Sequence, residues 1–230
     1  MTQRAPEHGP RLVELAGPPG AGKTTVFRAL LARDGMVEDR PSLRKAEHAP
    51  VLARESLAVL RTLLRDRAYP PGGAWEQLRI MAYLQALPRV LERAEAADGK
   101  VIVLDQGPAY FLTRPRFRDE RLAAWRRRVV ETWAPLLDLV VWLDAPDAIL
   151  VERINSRDKW HRLKGGPAHA ALDVLSDSRT MYDRALAELE TPPRAPAVLR
   201  FDTGRRSADE IADEVLAALR GRAAPLALRS

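Results

Sequence analysis

The run Arg11-Leu12-Val13-Glu14-Leu15-Ala16-Gly17-Pro18-Pro19-Gly20-Ala21-Gly22-Lys23-Thr24-Thr25 decides how this chain folds. From Gly17 to Thr24 it fits G-x-x-x-x-G-K-[ST] without a gap, the pattern of a loop that cradles phosphates. Glycines let the backbone curl so that successive N–H groups point inward as an anion nest. The helix beginning near Gly22 aims the positive end of its dipole at the same spot. In such a loop Lys23 reaches the β- and γ-phosphates and the Thr24 hydroxyl binds Mg²⁺. Thr25 extends the polar helix start as an α-phosphate contact. With glycine near 7% of average usage, the pattern arises by chance in about one chain of this length in a hundred. The apolar stretch before it and the helical stretch after it supply the strand–loop–helix context that the motif needs.

Outward from this loop, apolar runs alternate with helical stretches, as in a parallel sheet wrapped by helices. Strands are predicted at Leu12–Ala16, Val101–Leu104, Leu139–Leu143 and Ala197–Phe201, with a fifth near Met36–Asp39. Runs without polar alternation suit strands covered on both faces. Three of the four main runs stop at an aspartate: Asp105, Asp144 and Asp202. Ligands bind at such carboxyl ends in open α/β sheets. Helices are predicted over Lys23–Arg33, Val51–Arg67, Trp75–Ala97, Glu120–Trp133, Asp147–Arg157, Ala170–Leu189 and Ser207–Arg220. Pro88 should kink the third of these. Ser207 with Glu210 reads as a capping box.

At 230 residues the chain is long enough for one domain, 1–230, with a full core. It has no apolar run of membrane-spanning length and no secretory signal, so a cytoplasmic protein is expected. Absence of cysteine removes disulfides, thiolate zinc sites and cysteine nucleophiles. The net charge of +6 comes almost wholly from arginine, and it suits anionic partners such as nucleotides. Biased codon usage would give the same surplus.

A phosphate loop leaves its use open. The Asn-Lys-x-Asp signature of GTPases and the Leu-Ser-Gly-Gly-Gln signature of transporter ATPases are both missing. Three features favour phosphoryl transfer to a small acceptor. Asp105 ends an apolar strand, where it can hold Mg²⁺ or take the proton of an attacking hydroxyl; its rival role is to cap the turn before Pro108. Arg153, Arg157 and Arg162 lie in a basic stretch closed by Gly165-Gly166-Pro167. Arg153 and Arg157, four residues apart, are expected on one helix face, leading into a lid over about 153–167 that clamps the transferring group; the rival is a solvated surface. A helical insert over about 40–97 can wall off an acceptor pocket, with Arg79, Tyr83 and Gln85 as candidate contacts. Trp142 reads as core; Trp160 is either a stacking ring or a packing anchor, and His161 beside it is a weak base candidate. Competing readings are a regulatory or assembly ATPase and, behind it, a nucleic-acid-associated ATPase.

The phosphate loop, the strand-end aspartate and Leu143-Asp144-Ala145-Pro146 followed by Arg153 and Arg157 resemble the nucleoside and nucleoside-monophosphate kinases, thymidylate kinase in particular. Phe201-Asp202-Thr203-Gly204 with Ser207-Ala208-Asp209-Glu210-Ile211 resembles that family's adenine-side loop and final helix. The resemblance implies an α/β three-layer P-loop NTPase fold with a parallel five-stranded sheet, a helical acceptor insert and a lid. It implies ATP and Mg²⁺, with Gly17, Gly20, Ala21, Gly22, Lys23, Thr24 and Thr25 around the nucleotide and Thr24 and Asp105 at the metal. The expected partner is a small-molecule phosphate acceptor, with nucleosides and nucleotides among the candidates; a homodimer is compatible with it. That family usually carries arginine after the strand-end acid, where this chain has Gln106, which leaves the acceptor open.

Overall fold

The expected strands form and pair in parallel. A computed structural model of the chain describes residues 11–33, 35, 37–43, 45–68, 73–93, 100–114, 117–157 and 163–221. Strand β1 (Arg11–Ala16) runs into the glycine loop, and helix α1 (Lys23–Arg33) leaves it. With β2 (Val37–Asp39), β3 (Val101–Leu104), β4 (Leu139–Asp144) and β5 (Ala197–Asp202) it makes an all-parallel sheet of order β2-β3-β1-β4-β5. Glu14 lies opposite Leu104 on one side and Val140 on the other. The phosphate loop therefore emerges from the central strand, between the strand ends that carry Asp105 and Asp144.

Alternation along the buried strands sends side chains into two cores. Val13, Leu15, Val103 and Val141 meet Val26 and Leu30 of α1 and Ile211 and Val215 of α8 (Ala208–Gly221). Leu12, Ala16, Leu104 and Trp142 meet α3 (Ala74–Arg93), α5 (Ala123–Trp133) and Tyr182 of α7 (Ala168–Leu189). Helices above and below one sheet make the expected three layers. Ser207 caps α8: it receives the Glu210 N–H at 3.2 Å while the Glu210 carboxylate takes the Ser207 N–H at 2.8 Å.

The insert is a pair of helices, α2 (Ala49–Asp66) and α3, with Arg67 ending α2 in the left-handed region at φ 51°. Leu57, Leu60 and Leu64 have the helical spacing expected of α2, yet they are exposed; the buried face is Val51, Glu55, Val59 and Leu63. Apolar residues nearly encircle this helix, so packing against α3 rather than periodicity selects the face. Helix α3 runs through Pro88 to Arg93. Pro88 cannot donate to the Leu84 carbonyl, and the Trp133 indole N–H does so instead at 2.9 Å. The end of that expected helix, 94–97, lies outside the described residues. Three further departures are local. Residues Glu120–Leu122 form a 3₁₀ turn ahead of α5, Pro108–Leu112 form a short helix α4, and α6 (Asp147–Asn155) stops before Arg157. Among the described residues no helix is long and apolar enough to cross a membrane.

Candidate functional site

Two close approaches build the phosphate loop. A Cβ on Gly17 would lie 2.1 Å from the Leu143 carbonyl oxygen, and one on Gly20 would lie 2.8 Å from that of Leu150. The loop is thereby pressed against β4 and α6, with φ at +146° and +86° at these positions. Ala21 is buried, whereas Thr24 and Thr25 at the start of α1 are exposed. The Lys23 ammonium crosses the loop and donates to the carbonyls of Gly17 at 2.6 Å and Pro18 at 2.9 Å. Burial and, behind it, nearby Arg157 lower its pKa to about 8, with Asp105 acting against both. Asp105 and Arg157 thus both lie within electrostatic reach of Lys23, although they stand 82 and 134 residues from it in the sequence.

On one side of the loop is a cleft of about 460 Å³, lined among others by Gly20, Gly22, Thr25, Arg153, Arg157 and Thr203. Arg153 donates through one guanidinium nitrogen to the Thr203 hydroxyl and through the other to the Thr203 carbonyl, each at 2.8 Å. It staples α6 to the loop after β5. Arg153 and Arg157 do not share a helix face, because α6 closes when the Ser156 N–H bonds the Glu152 carbonyl at 2.9 Å. They still line the same cleft from helix and loop. Of the expected lid, residues 158–162, with Trp160, His161 and Arg162, lie outside the described residues. Its far end is tied back: the Asn155 side-chain oxygen accepts the Gly165 N–H at 3.1 Å.

The other side of the loop carries Asp105, the expected Tyr83, and Arg40, a residue that sequence reading missed. Arg40, just after β2, donates to the Tyr83 hydroxyl at 2.9 Å and to the Gln106 carbonyl at 3.4 Å, and lies 5.3 Å from the Tyr83 ring centre. Burial pushes the Tyr83 phenol up to about 12. The insert residues separate: Tyr83 faces the Asp105 turn, Arg79 is exposed, and Gln85 lines a different groove with Arg89, Arg128 and Thr132. Arg40 thus brings a guanidinium to the turn at Gln106 from the residue after β2.

Glu14 is fully buried inside β1. Its carboxylate accepts N–H groups from Gly107 at 3.1 Å, Tyr110 at 2.9 Å and Ala109 at 3.0 Å. Burial raises its pKa to about 7 against the pull of these bonds. The signal was present, as an acid inside an apolar strand. Arg179 of α7 gave no comparable signal, yet it holds Asp144 through two nitrogens, at 2.7 and 3.1 Å, and Asp147 at 2.7 Å. These carboxylates hold its pKa above the usual arginine range. Tyr182 of the same helix lies beside the Gly17 backbone, so α7 reaches both β4 and the phosphate loop. Among the described residues no cluster of three or more His, Cys, Asp or Glu could hold a metal ion. A metal that also meets bound phosphates needs fewer protein ligands, and the exposed Thr24 hydroxyl and Asp105 fit that role.

The chain belongs to an AAA domain family, whose model matches residues 13–166. Its fold is that of the P-loop nucleoside and nucleotide kinases. A thymidylate kinase from Candida albicans superposes with a TM-score of 0.53 at 16% identity, over 94% of this chain and 92% of the other. The YorR protein of Bacillus subtilis, solved in complex with phosphorylated GDP, superposes with a TM-score of 0.52 at 15% identity, over 92% and 96%. No curated protein matches the sequence.

Proposed function

We propose that this protein, one domain over 1–230, is an ATP- and Mg²⁺-dependent phosphotransferase that moves the γ-phosphoryl group to a small acceptor. The observation that carries this reading is the glycine-cradled loop with Lys23 across it, Arg157 lining the cleft beside it and Asp105 at the end of the neighbouring strand. Backbone amides from Gly20 to Lys23 would hold the phosphates, helped by the α1 dipole. Lys23 would exchange the Gly17 and Pro18 carbonyls for phosphate oxygens, which restores a full positive charge to an amine that burial has made easier to deprotonate. Thr24 and Asp105 would hold Mg²⁺, whose chemistry is to neutralise charge between the β- and γ-oxygens. Asp105 can also accept the proton of the acceptor hydroxyl.

Arginines complete the site. Arg157 faces Lys23 and would meet charge that grows on the transferring group; Arg162 belongs to the same proposal from the lid. Arg153 is engaged with Thr203, so its part is to shape the nucleotide side of the cleft. Thr25 lines that cleft and would contact the α-phosphate. The helical insert supplies the acceptor side through Tyr83 and Arg40, and a cytoplasmic location suits the ATP supply.

A panel of nucleosides, nucleotides, sugars and aminoglycosides, scored by ADP release, tests this reading. A phosphotransferase shows ATP turnover raised many-fold by one acceptor class. Turnover indifferent to every acceptor and raised by a protein partner would instead mark a regulatory ATPase.

A further inference from the structure

Glu14 occupies a place where an aliphatic residue would be expected. Its neighbours on the same face of β1 are Leu12 and Ala16, its register partners are Leu104 and Val140, and all are buried. Removing a carboxyl group from water costs several kcal/mol unless hydrogen bonds replace the lost hydration. Here they come from one place, the turn after Asp105. Between Gly107 and Tyr110 the backbone owns three N–H groups, because Pro108 has none, and Glu14 accepts all three. Gly107 fits the same design, since a Cβ there would lie 2.6 Å from the Glu14 carboxylate. Glycine gives clearance, proline leaves no donor over, and the carboxylate clasps the turn.

We infer that Glu14 is a positioning residue for phosphoryl transfer, fixing the Asp105–Gln106 turn against the phosphate loop. Gly17 follows three residues beyond Glu14, directly where β1 ends. The clasp therefore ties the carboxylate of Asp105 and the cradle of Gly17 to Lys23 to a common base. A site that must hold a metal or a nucleophile within about 0.5 Å needs such support beneath it. This inference rests on the phosphotransferase reading, and the test separates the two.

The test uses Mg²⁺–ATP as probe, with water as the acceptor, on the full chain. Glu14→Gln keeps the shape but turns one accepting oxygen into an NH₂ group that confronts a backbone donor. ATP turnover should fall about 10-fold or more while the Mg²⁺–ATP dissociation constant stays within about 2-fold. Amide exchange should quicken over 105–110 and stay unchanged over the rest of β1. Gly107→Ala presses on the same contact from the other side and should give the same split. Wild-type turnover in a folded Glu14→Gln protein overturns the inference. So does a loss shared equally between turnover and ATP affinity, and so does failure of both variants to fold, which would make Glu14 a requirement of folding alone. Lys23→Ala serves as the control: if it leaves ATP turnover intact, the phosphotransferase reading itself has failed; if it abolishes turnover and Glu14→Gln does not, only the positioning role is lost.

Discussion

Asp105 and Asp144 are written alike in the sequence, each closing an apolar run, and they flank the phosphate loop at the ends of β3 and β4. Their surroundings differ. Arg179 grips Asp144 through two nitrogens and also binds Asp147, and the Ala145 N–H adds a bond at 2.8 Å. Asp105 forms no ion pair among the described residues and acts on the Lys23 ammonium across the loop. One carboxylate has been absorbed into scaffolding; the other carries no such clamp among the described residues. Sequence position gives both residues the same address, and the long-range partner decides what each can do there.

Removing charge from the loop itself should have the largest effect. Lys23→Ala should lower ATP turnover at least about 10²-fold, the scale for losing one preorganised transition-state charge. Circular dichroism should show an unchanged fold, because the side chain bonds loop carbonyls rather than core. Asp105→Asn should cost nearly as much in kcat while ATP affinity, followed by calorimetry, changes little. Full activity with unaltered Mg²⁺ dependence would reduce Asp105 to a turn residue and erase its contrast with Asp144.

Asp144→Asn should show the opposite profile. Arg179 would lose its carboxylate partner, and stability should drop by about 1–2 kcal/mol, read from urea unfolding. Turnover at a temperature where the variant is folded should stay within a few-fold of wild type. If Asp144→Asn instead abolishes turnover without loss of stability, the two aspartates have exchanged roles.

A smaller effect concerns pH. Glu14 supports the Asp105 side, and its folded pKa is raised from 4.5 to about 7. A raised pKa means that the folded state holds a proton more tightly than the unfolded chain. That stability is complete below pH 4.5 and disappears as pH rises through 7. Relative to Glu14→Gln, the wild type should therefore lose about 1–3 kcal/mol of advantage between pH 5 and 8. Parallel unfolding curves for the two proteins would show that the carboxyl does not titrate in this range.

How much of this was legible follows from range. The loop, the separate strand runs and the Ser207 cap depend on neighbours within a few residues, and local pattern shows them. Local pattern is silent where a partner far along the chain decides the outcome. Arg179 reaches Asp144 from 35 residues away, and Trp133 satisfies the carbonyl that Pro88 leaves open from 49 residues away. The leucines of α2 mislead because several faces of that helix are greasy enough to be buried. Glu14 was visible as an anomaly, but its meaning required seeing the turn it holds.

The glycines of the loop superimpose two kinds of constraint in one motif. Gly17 and Gly20 are pinned by protein carbonyls, so a selection for folding alone, blind to nucleotide, would already retain them. Nothing lies within 4 Å of a Cβ built on Gly22, where only the φ of +85° argues for glycine. A library selected for protease resistance without ligand should leave the first two positions nearly invariant and let asparagine or aspartate drift into the third. Restoring glycine at 22 would then require selection for turnover, which would divide the motif experimentally into the part that serves the protein and the part that serves its substrate.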